Sequence, residues 1–218
     1  HVSGLMTGKA GVLHLHLGAG PRGLDLVRRA LNESEIPARV FNPTHVNRRK
    51  ALFDEAVTLA AKGCYIDLTA FPVEDGEDAW SAAEGLQRYL ASGAPADRVT
   101  ISSDAGGCLP CFDAEGRVSS MDVGHSGALL ETLRALADGG MSLETALPAF
   151  TANPARMLRL VRKGRVEAGA DADLVALDAT GAAQTVIIGG QIHVRNGQAI
   201  RRGTFENRQE QHVAEHRP

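Results

Sequence analysis

The chain has 218 residues, of which 44% are hydrophobic and 22% charged, with a formal net charge of −3. That length suits one large domain or one domain with an appendage, and so weak an acidic balance carries no footprint for nucleic acid or an anionic membrane. No apolar run approaches the ~18 residues that span a bilayer, no signal-type segment opens the chain, and three cysteines make no disulfide framework, so a soluble, cytoplasmic protein is expected.

The chain begins at His1 and enters a β-type pattern within about a dozen residues. That suits either a chain whose front is missing or an artefact of expression or processing. Residues 11–17 (GVLHLHL) form a short apolar run, closed by the breaker-rich GAGPRG. A helix follows over 24–31, with Leu24, Val27, Ala30 and Leu31 at helical spacing. The next strand is read at 38–41 (ARVF), and the next helix at 49–61, with Leu52, Phe53, Ala56, Leu59 and Ala60 on one face. A third strand (64–68, CYIDL), a helix (80–91) and a fourth strand (98–102, RVTIS) come next, ending at Ser103-Asp104 before a glycine-rich loop. Helices are predicted at 126–137, at 142–150 opened by Ser142, and over a short stretch at 153–160.

This βαβαβαβα order implies an α/β protein with a parallel sheet. Four such strands are half of an eight-stranded barrel, or a small doubly wound sheet. From about residue 161 the texture changes to short β-runs: ADLVALD, AQTVIIGG and QIHVRNGQAI, with Asn196-Gly197 as a hairpin signal. The expected organisation is therefore a barrel-like segment over 1–160, a small β-unit over 161–205 and a polar, fraying tail over 206–218.

Three of the strand-like runs end on a potential metal ligand: His16, His45 and Asp104. Parallel strands of a barrel deliver their last residues to one rim, so distant residues can surround one ion. His14 and His16, spaced i, i+2, point to the same face of a strand and could both serve a zinc; equally, one of them caps the strand or packs inside. His16 is the last polar residue before the glycine loop. His45 lies in NPTHVNR, ahead of Arg48, whose forked guanidinium suits a carboxylate, although Arg49 and Lys50 beside it also fit ordinary surface charge. Asp104 can ligate a metal and take a proton from water, or simply cap a turn. Cys108 and Cys111 form a lone CLPC, either a redox pair, half of a zinc clip, or two small residues in a loop. Asp25, Asp67, Glu74, Glu77 and His125 could reach the rim, but their spacing singles none of them out.

The segment TANPARMLRLVRKGRVEAGADADLVALD resembles the C-terminal signature of the amidohydrolase superfamily, through Gly164, Val166, Gly169, Ala172, Asp173, Leu174 and Val175. More narrowly, HVSGLMTGKAGVLHLHLG, NPTHVNRRKALFDEA, GCYIDLTA and VTISSDAGGCLPCFDAEG resemble the isoaspartyl dipeptidase family, over nearly the whole chain to about Phe205. The resemblance implies the C-terminal half of a metal-dependent-hydrolase (β/α)8 TIM barrel, plus a β-unit belonging to a composite β-sandwich. It implies that His16, His45 and Asp104 bind metal, and that Asp104 activates the hydroxide and protonates the leaving amine. Arg48 would hold the free carboxylate of the substrate, and Cys108 stands where a small polar residue contacting substrate is expected. The implied reaction is hydrolysis of the β-aspartyl bond of isoaspartyl dipeptides by a water bridged between two zinc ions. The implied partners are that small-molecule substrate and further copies of the chain, a homo-oligomer, with no nucleic acid and no membrane.

The resemblance also implies an HxH pair on the first barrel strand and a bridging, carboxylated lysine on the fourth, both expected upstream of His1. Lys9 is no substitute, because it lies on the approach to the strand bearing His16, and Ala19 stands where the family often has Asp. Half a barrel leaves open strand edges, so the chain alone is expected to associate or to fold incompletely. The competing readings are another amidohydrolase (dihydroorotase-like or an N-acyl-amino-acid deacylase), a non-catalytic fragment, and a CxxC redox protein.

Overall fold

The computed structural model describes residues 1–18, 20–112 and 117–203, the side chains of 110–112 excepted. Ala19, the side chain of Cys111 and the tail from 206 onward lie outside the described residues. The chain divides into two compact units, His1–Arg165 and Val166–Pro218.

The first unit opens with a short helix that the sequence reading does not anticipate, α1 (Val2–Met6). Strands and helices then alternate: β1 (Leu13–His16), α2 (Asp25–Glu33), β2 (Phe41–Thr44), α3 (Lys50–Ala61), β3 (Ile66–Thr69), α4 (Ala82–Ala91) and β4 (Val99–Ser102). β1 pairs with β2 in parallel, His16 opposite Thr44, and β3 pairs with β4 in parallel, Asp67 opposite Thr100. The Tyr65 N–H donates to Phe41 O at 3.0 Å, which sets β3 beside β2. The mixed α/β character follows from the apolar runs. β3 is buried along its whole length, and α3 buries the same five residues that its helical spacing singles out. Phe53, Leu59, Ile66, Leu68, Leu86 and Val99 belong to the core.

The second strand lies further along the chain than expected. Ala38–Val40 is a 3-10 turn, and the strand is Phe41–Thr44, running through Pro43. Proline removes a ladder donor and hides the strand from pattern reading, yet its fixed φ suits extended backbone. The helix expected over 142–150 is likewise shorter. α6 (Leu143–Ala146) ends early, and a 3-10 turn over Leu147–Ala149 replaces its continuation. Pro148 has no N–H to give the preceding turn, so the α-helix cannot continue through it.

α4 is closed at its start by a capping box. Ser81 Oγ accepts from the Glu84 N–H at 3.2 Å, while Glu84 Oε2 accepts from the Ser81 N–H at 3.1 Å. α5 (Ala128–Asp138) and α7 (Ala152–Met157) complete the helices described. Asn153 of α7 is buried, and its Nδ2 donates to Ala96 O and Val99 O, both at 2.8 Å, docking the helix on the start of β4.

The expected glycine-rich loop follows Asp104 as a turn through Ala105 and Gly106, and beyond it lies a hairpin that the sequence reading does not anticipate, β5 (Cys108–Phe112) antiparallel to β6 (Val118–Val123). β6 is exposed at every position, so no buried face stamped a period-two pattern on its sequence.

The second unit is an antiparallel meander of β7 (Leu174–Leu177), β8 (Ala183–Ile188), β9 (Gln191–Arg195) and β10 (Gln198–Ala199), in spatial order β10-β9-β8-β7. Asn196 (φ 53°) and Gly197 (φ 73°) form the left-handed turn between β9 and β10, the conformation that makes Asn-Gly a hairpin signal. Among the described residues no helix is long and apolar enough to cross a membrane.

Candidate metal centre

The parallel register does most of the assembly. With His16 opposite Thr44, the end of β1 faces the residue that follows β2, which is His45. His16 Nδ1 lies 2.9 Å from His45 Nε2, and His45 Nε2 lies 3.9 Å from Asp104 Oδ2. One donor atom from each of His16, His45 and Asp104 lies within 4.8 Å of the others. Two donors on a tetrahedral zinc are separated by roughly 3.3 Å, given Zn–N bonds of about 2.0 Å. The two imidazoles and the carboxylate therefore fit a share of one shell.

The backbone around these three groups is tightly constrained. His45 (φ 63°) and Asp104 (φ 48°) both occupy the left-handed region, which costs a residue with a side chain about 1–3 kcal/mol. The surroundings impose it. For His45, the neighbouring Asn47 is buried and locks β3: its Nδ2 donates to Thr69 O (3.0 Å) and Trp80 O (2.8 Å), and its Oδ1 accepts from the Thr69 N–H (2.8 Å). Thr69 Oγ1 lies 2.8 Å from His45 Nδ1, a contact that orients the ring with Nε2 turned toward His16 and Asp104. For Asp104 the constraint is a backbone clasp. The Gly106 N–H donates to Gly124 O (2.8 Å), the Gly124 N–H to Gly107 O (2.9 Å), and the Gly107 N–H to Asp104 O (2.8 Å).

His45 is 8% exposed. Burial holds its imidazole below the ordinary value; the Asp104 carboxylate opposes that, while Arg48, His16 and His14 push the same way as burial. A neutral imidazole is the form that ligates a metal.

His14 shares the face of His16 but lies outside the cluster: its Nδ1 is 3.0 Å from Asn42 Nδ2, its register partner. Arg48 is exposed on the turn Val46–Arg48, and its Nη1 donates to Leu17 O at 2.6 Å, which brings it to the rim where β1 ends. Cys108 is exposed at the start of β5. Asp25 pairs with Arg28, and His125 lies 3.8 Å from Glu131 on the surface; neither joins the three candidate ligands. Cys64 differs from Cys108 in being buried, which pushes its thiol up to about 11. At pH 8 only about a thousandth of such a thiol is thiolate, so iodoacetamide is expected to alkylate Cys108 in the native protein and Cys64 only after unfolding. Peptide mass mapping checks this; prompt native alkylation of Cys64 would refute its burial.

The sequence reading passes over Thr69, Asn47 and the glycine clasp, and names Asp67 without a role. A carboxylate inside the apolar run CYIDLT is the available signal, since charged residues are almost never fully buried unless paired. Asp67 is 3% exposed. It accepts from Thr44 Oγ1 (2.6 Å), Thr100 Oγ1 (2.5 Å) and Ser102 Oγ (2.6 Å). Burial pushes its carboxyl up, against the three hydroxyls, which hold it down.

The amidohydrolase family profile matches residues 30–193. The beta-aspartyl dipeptidase of Fervidobacterium islandicum AW-1, solved in complex with a beta-Asp-Leu dipeptide, is 34% identical to this chain. Its TM-score is 0.85, over 94% of this chain and 52% of that one. A second beta-aspartyl dipeptidase structure from that organism is 30% identical, with a TM-score of 0.80 over 94% of this chain and 51% of its own. The atrazine chlorohydrolase of Arthrobacter aurescens TC1, complexed with zinc, shares the fold: it is 18% identical, with a TM-score of 0.54 over 91% of this chain and 47% of its own. The chain thus spans about half the length of these solved relatives.

Proposed function

The chain belongs to the amidohydrolase family, and on that premise we propose that its first unit carries part of the centre of a zinc-dependent β-aspartyl dipeptidase. The reaction is hydrolysis of the β-aspartyl (isopeptide) bond of isoaspartyl dipeptides. The observation that carries this reading is the convergence of His16, His45 and Asp104 from the ends of three strands, with Arg48 on the turn that follows His45. The likeness to a dipeptidase solved with beta-Asp-Leu supports the substrate class.

In this reading the four strand–helix steps are half of a (β/α)8 barrel, and the meander belongs to a composite β-sandwich. His16, His45 and Asp104 would hold zinc, with two ions in the complete centre, and bound zinc would supply Lewis acidity toward the scissile carbonyl and the attacking water. Asp104 accepts the proton of the attacking water and returns it to the leaving amine as the amide bond breaks. Arg48 pairs with the free carboxylate of the dipeptide through its guanidinium fork, and Cys108 lines the substrate's path at the start of β5. The protein acts in the cytoplasm as a homo-oligomer.

The test is leucine release from β-Asp-Leu against α-Asp-Leu, with and without zinc. In a protein that holds the complete centre, release is expected from the β-linked dipeptide alone, and only with zinc. Arg48→Met is expected to raise KM by about tenfold, the size of one lost charge-assisted hydrogen bond, with kcat nearly unchanged. Equal cleavage of both dipeptides, or hydrolysis of dihydroorotate or an N-acyl amino acid instead, would overturn the substrate assignment. No turnover with zinc bound would favour the non-catalytic fragment.

A further inference from the structure

The buried carboxylate of Asp67 takes no part in the chemistry above, yet it joins three strands. It lies in β3 and accepts hydroxyl protons from Thr44 at the end of β2, and from Thr100 and Ser102 in β4. The three hydroxyl oxygens lie 2.5–2.6 Å from its carboxylate oxygens, so each can donate a hydrogen bond to it. Burying a charge here is costly, and an apolar side chain like those of Ile66 and Leu68 beside it would pack the same strand without that cost. Stability alone gives a poor account of this residue.

Its three arms are placed unequally. Thr44 immediately precedes His45, and Ser102 lies two residues before Asp104, whereas Thr100 sits mid-strand opposite Asp67 itself. Both metal-binding candidates beyond the strap hold the left-handed backbone. Slack at Thr44 or Ser102 would let that backbone relax to an ordinary conformation and carry the donor atom away.

We propose that Asp67 is a positioning residue for the metal centre, a strap that ties β2 and β4 across β3 so that His45 and Asp104 present their donor atoms to one ion. The inference rests on the metal-centre reading given above. It differs from the bonds that orient His45, because it acts on the two ligand-bearing strands together and touches neither ligand.

The test is cobalt(II) titration of the full chain, followed by the d–d absorption spectrum, alongside thermal unfolding. Thr44→Val and Ser102→Ala are each expected to weaken cobalt affinity about tenfold, the usual cost of losing an outer-shell partner, and to alter the band shape. Thr100→Val is expected to lower Tm while leaving affinity and spectrum as they are. Asp67→Asn, where it folds, is expected to weaken binding at least as much as either ligand-side arm. If the arms lower Tm alike and wild-type affinity survives in all of them, the strap is merely structural, and this inference fails while the metal centre stands. If the wild-type chain does not bind cobalt, or binds it equally after His16→Ala, both readings fail together.

Discussion

His45→Ala is expected to weaken zinc binding by at least ~100-fold, more than the loss of an outer-shell partner, because it removes a ligand itself. His45 is the central donor of the three, 2.9 Å from His16 Nδ1 and 3.9 Å from Asp104 Oδ2. It is also the most constrained: its ring is held by Thr69 and its backbone lies in the left-handed region. Alanine leaves His16 and Asp104 with no shared neighbour. His14→Ala is the matched control, since His14 bonds Asn42 outside the cluster, and its loss should leave zinc affinity as it was. Isothermal titration of the three proteins decides the matter, with far-UV circular dichroism to show that each is folded. Unchanged zinc affinity in His45→Ala would remove the centre from this site.

The second large effect is expected at Gly124, which no sequence pattern marks as functional. A Cβ there would lie 2.5 Å from Asp104 O and 3.3 Å from Ser103 O. Those are backbone atoms, so no side-chain rotation relieves the clash, and the strand end bearing Asp104 must move instead. Gly107 also crowds the same carboxylate, its Cβ site 2.6 Å from Asp104 Oδ2. Gly124→Ala is therefore expected to cost about 1–3 kcal/mol of stability, in the range of overpacked interiors. It should also weaken zinc binding about tenfold, as displacement of one ligand requires. Thermal unfolding and zinc titration of Gly124→Ala check both halves. A stable variant with wild-type affinity would show that the clasp does not fix Asp104.

Much of this fold is legible in the amino-acid sequence. α3 buries the face its spacing announces, Asn196-Gly197 turns where a hairpin signal says it should, and the candidate ligands each follow an apolar run. These are local properties: periodicity, turn chemistry and the residue that ends a strand are written within a few positions of one another. The second strand is misplaced by pattern reading for an equally local reason, since Pro43 disguises it. The β5–β6 hairpin escapes such reading because an exposed pairing needs no apolar alternation.

Which partners each side chain finds is a different kind of fact. Asp67, Thr44, Thr100 and Ser102 bond across as many as 35 residues of chain, and Asn153 reaches back 57 to Ala96. The first set follows from strand register and the last from the docking of α7 on the start of β4. The sequence by itself determined the alternating elements, the family resemblance and the residue types able to hold a metal. Only the tertiary structure decided that His14 turns to Asn42 while His16 meets His45 and Asp104, and that a buried carboxylate ties the strands. The reason is that these partners lie tens of residues apart along the chain, so only the packing of the strands brings them within bonding distance.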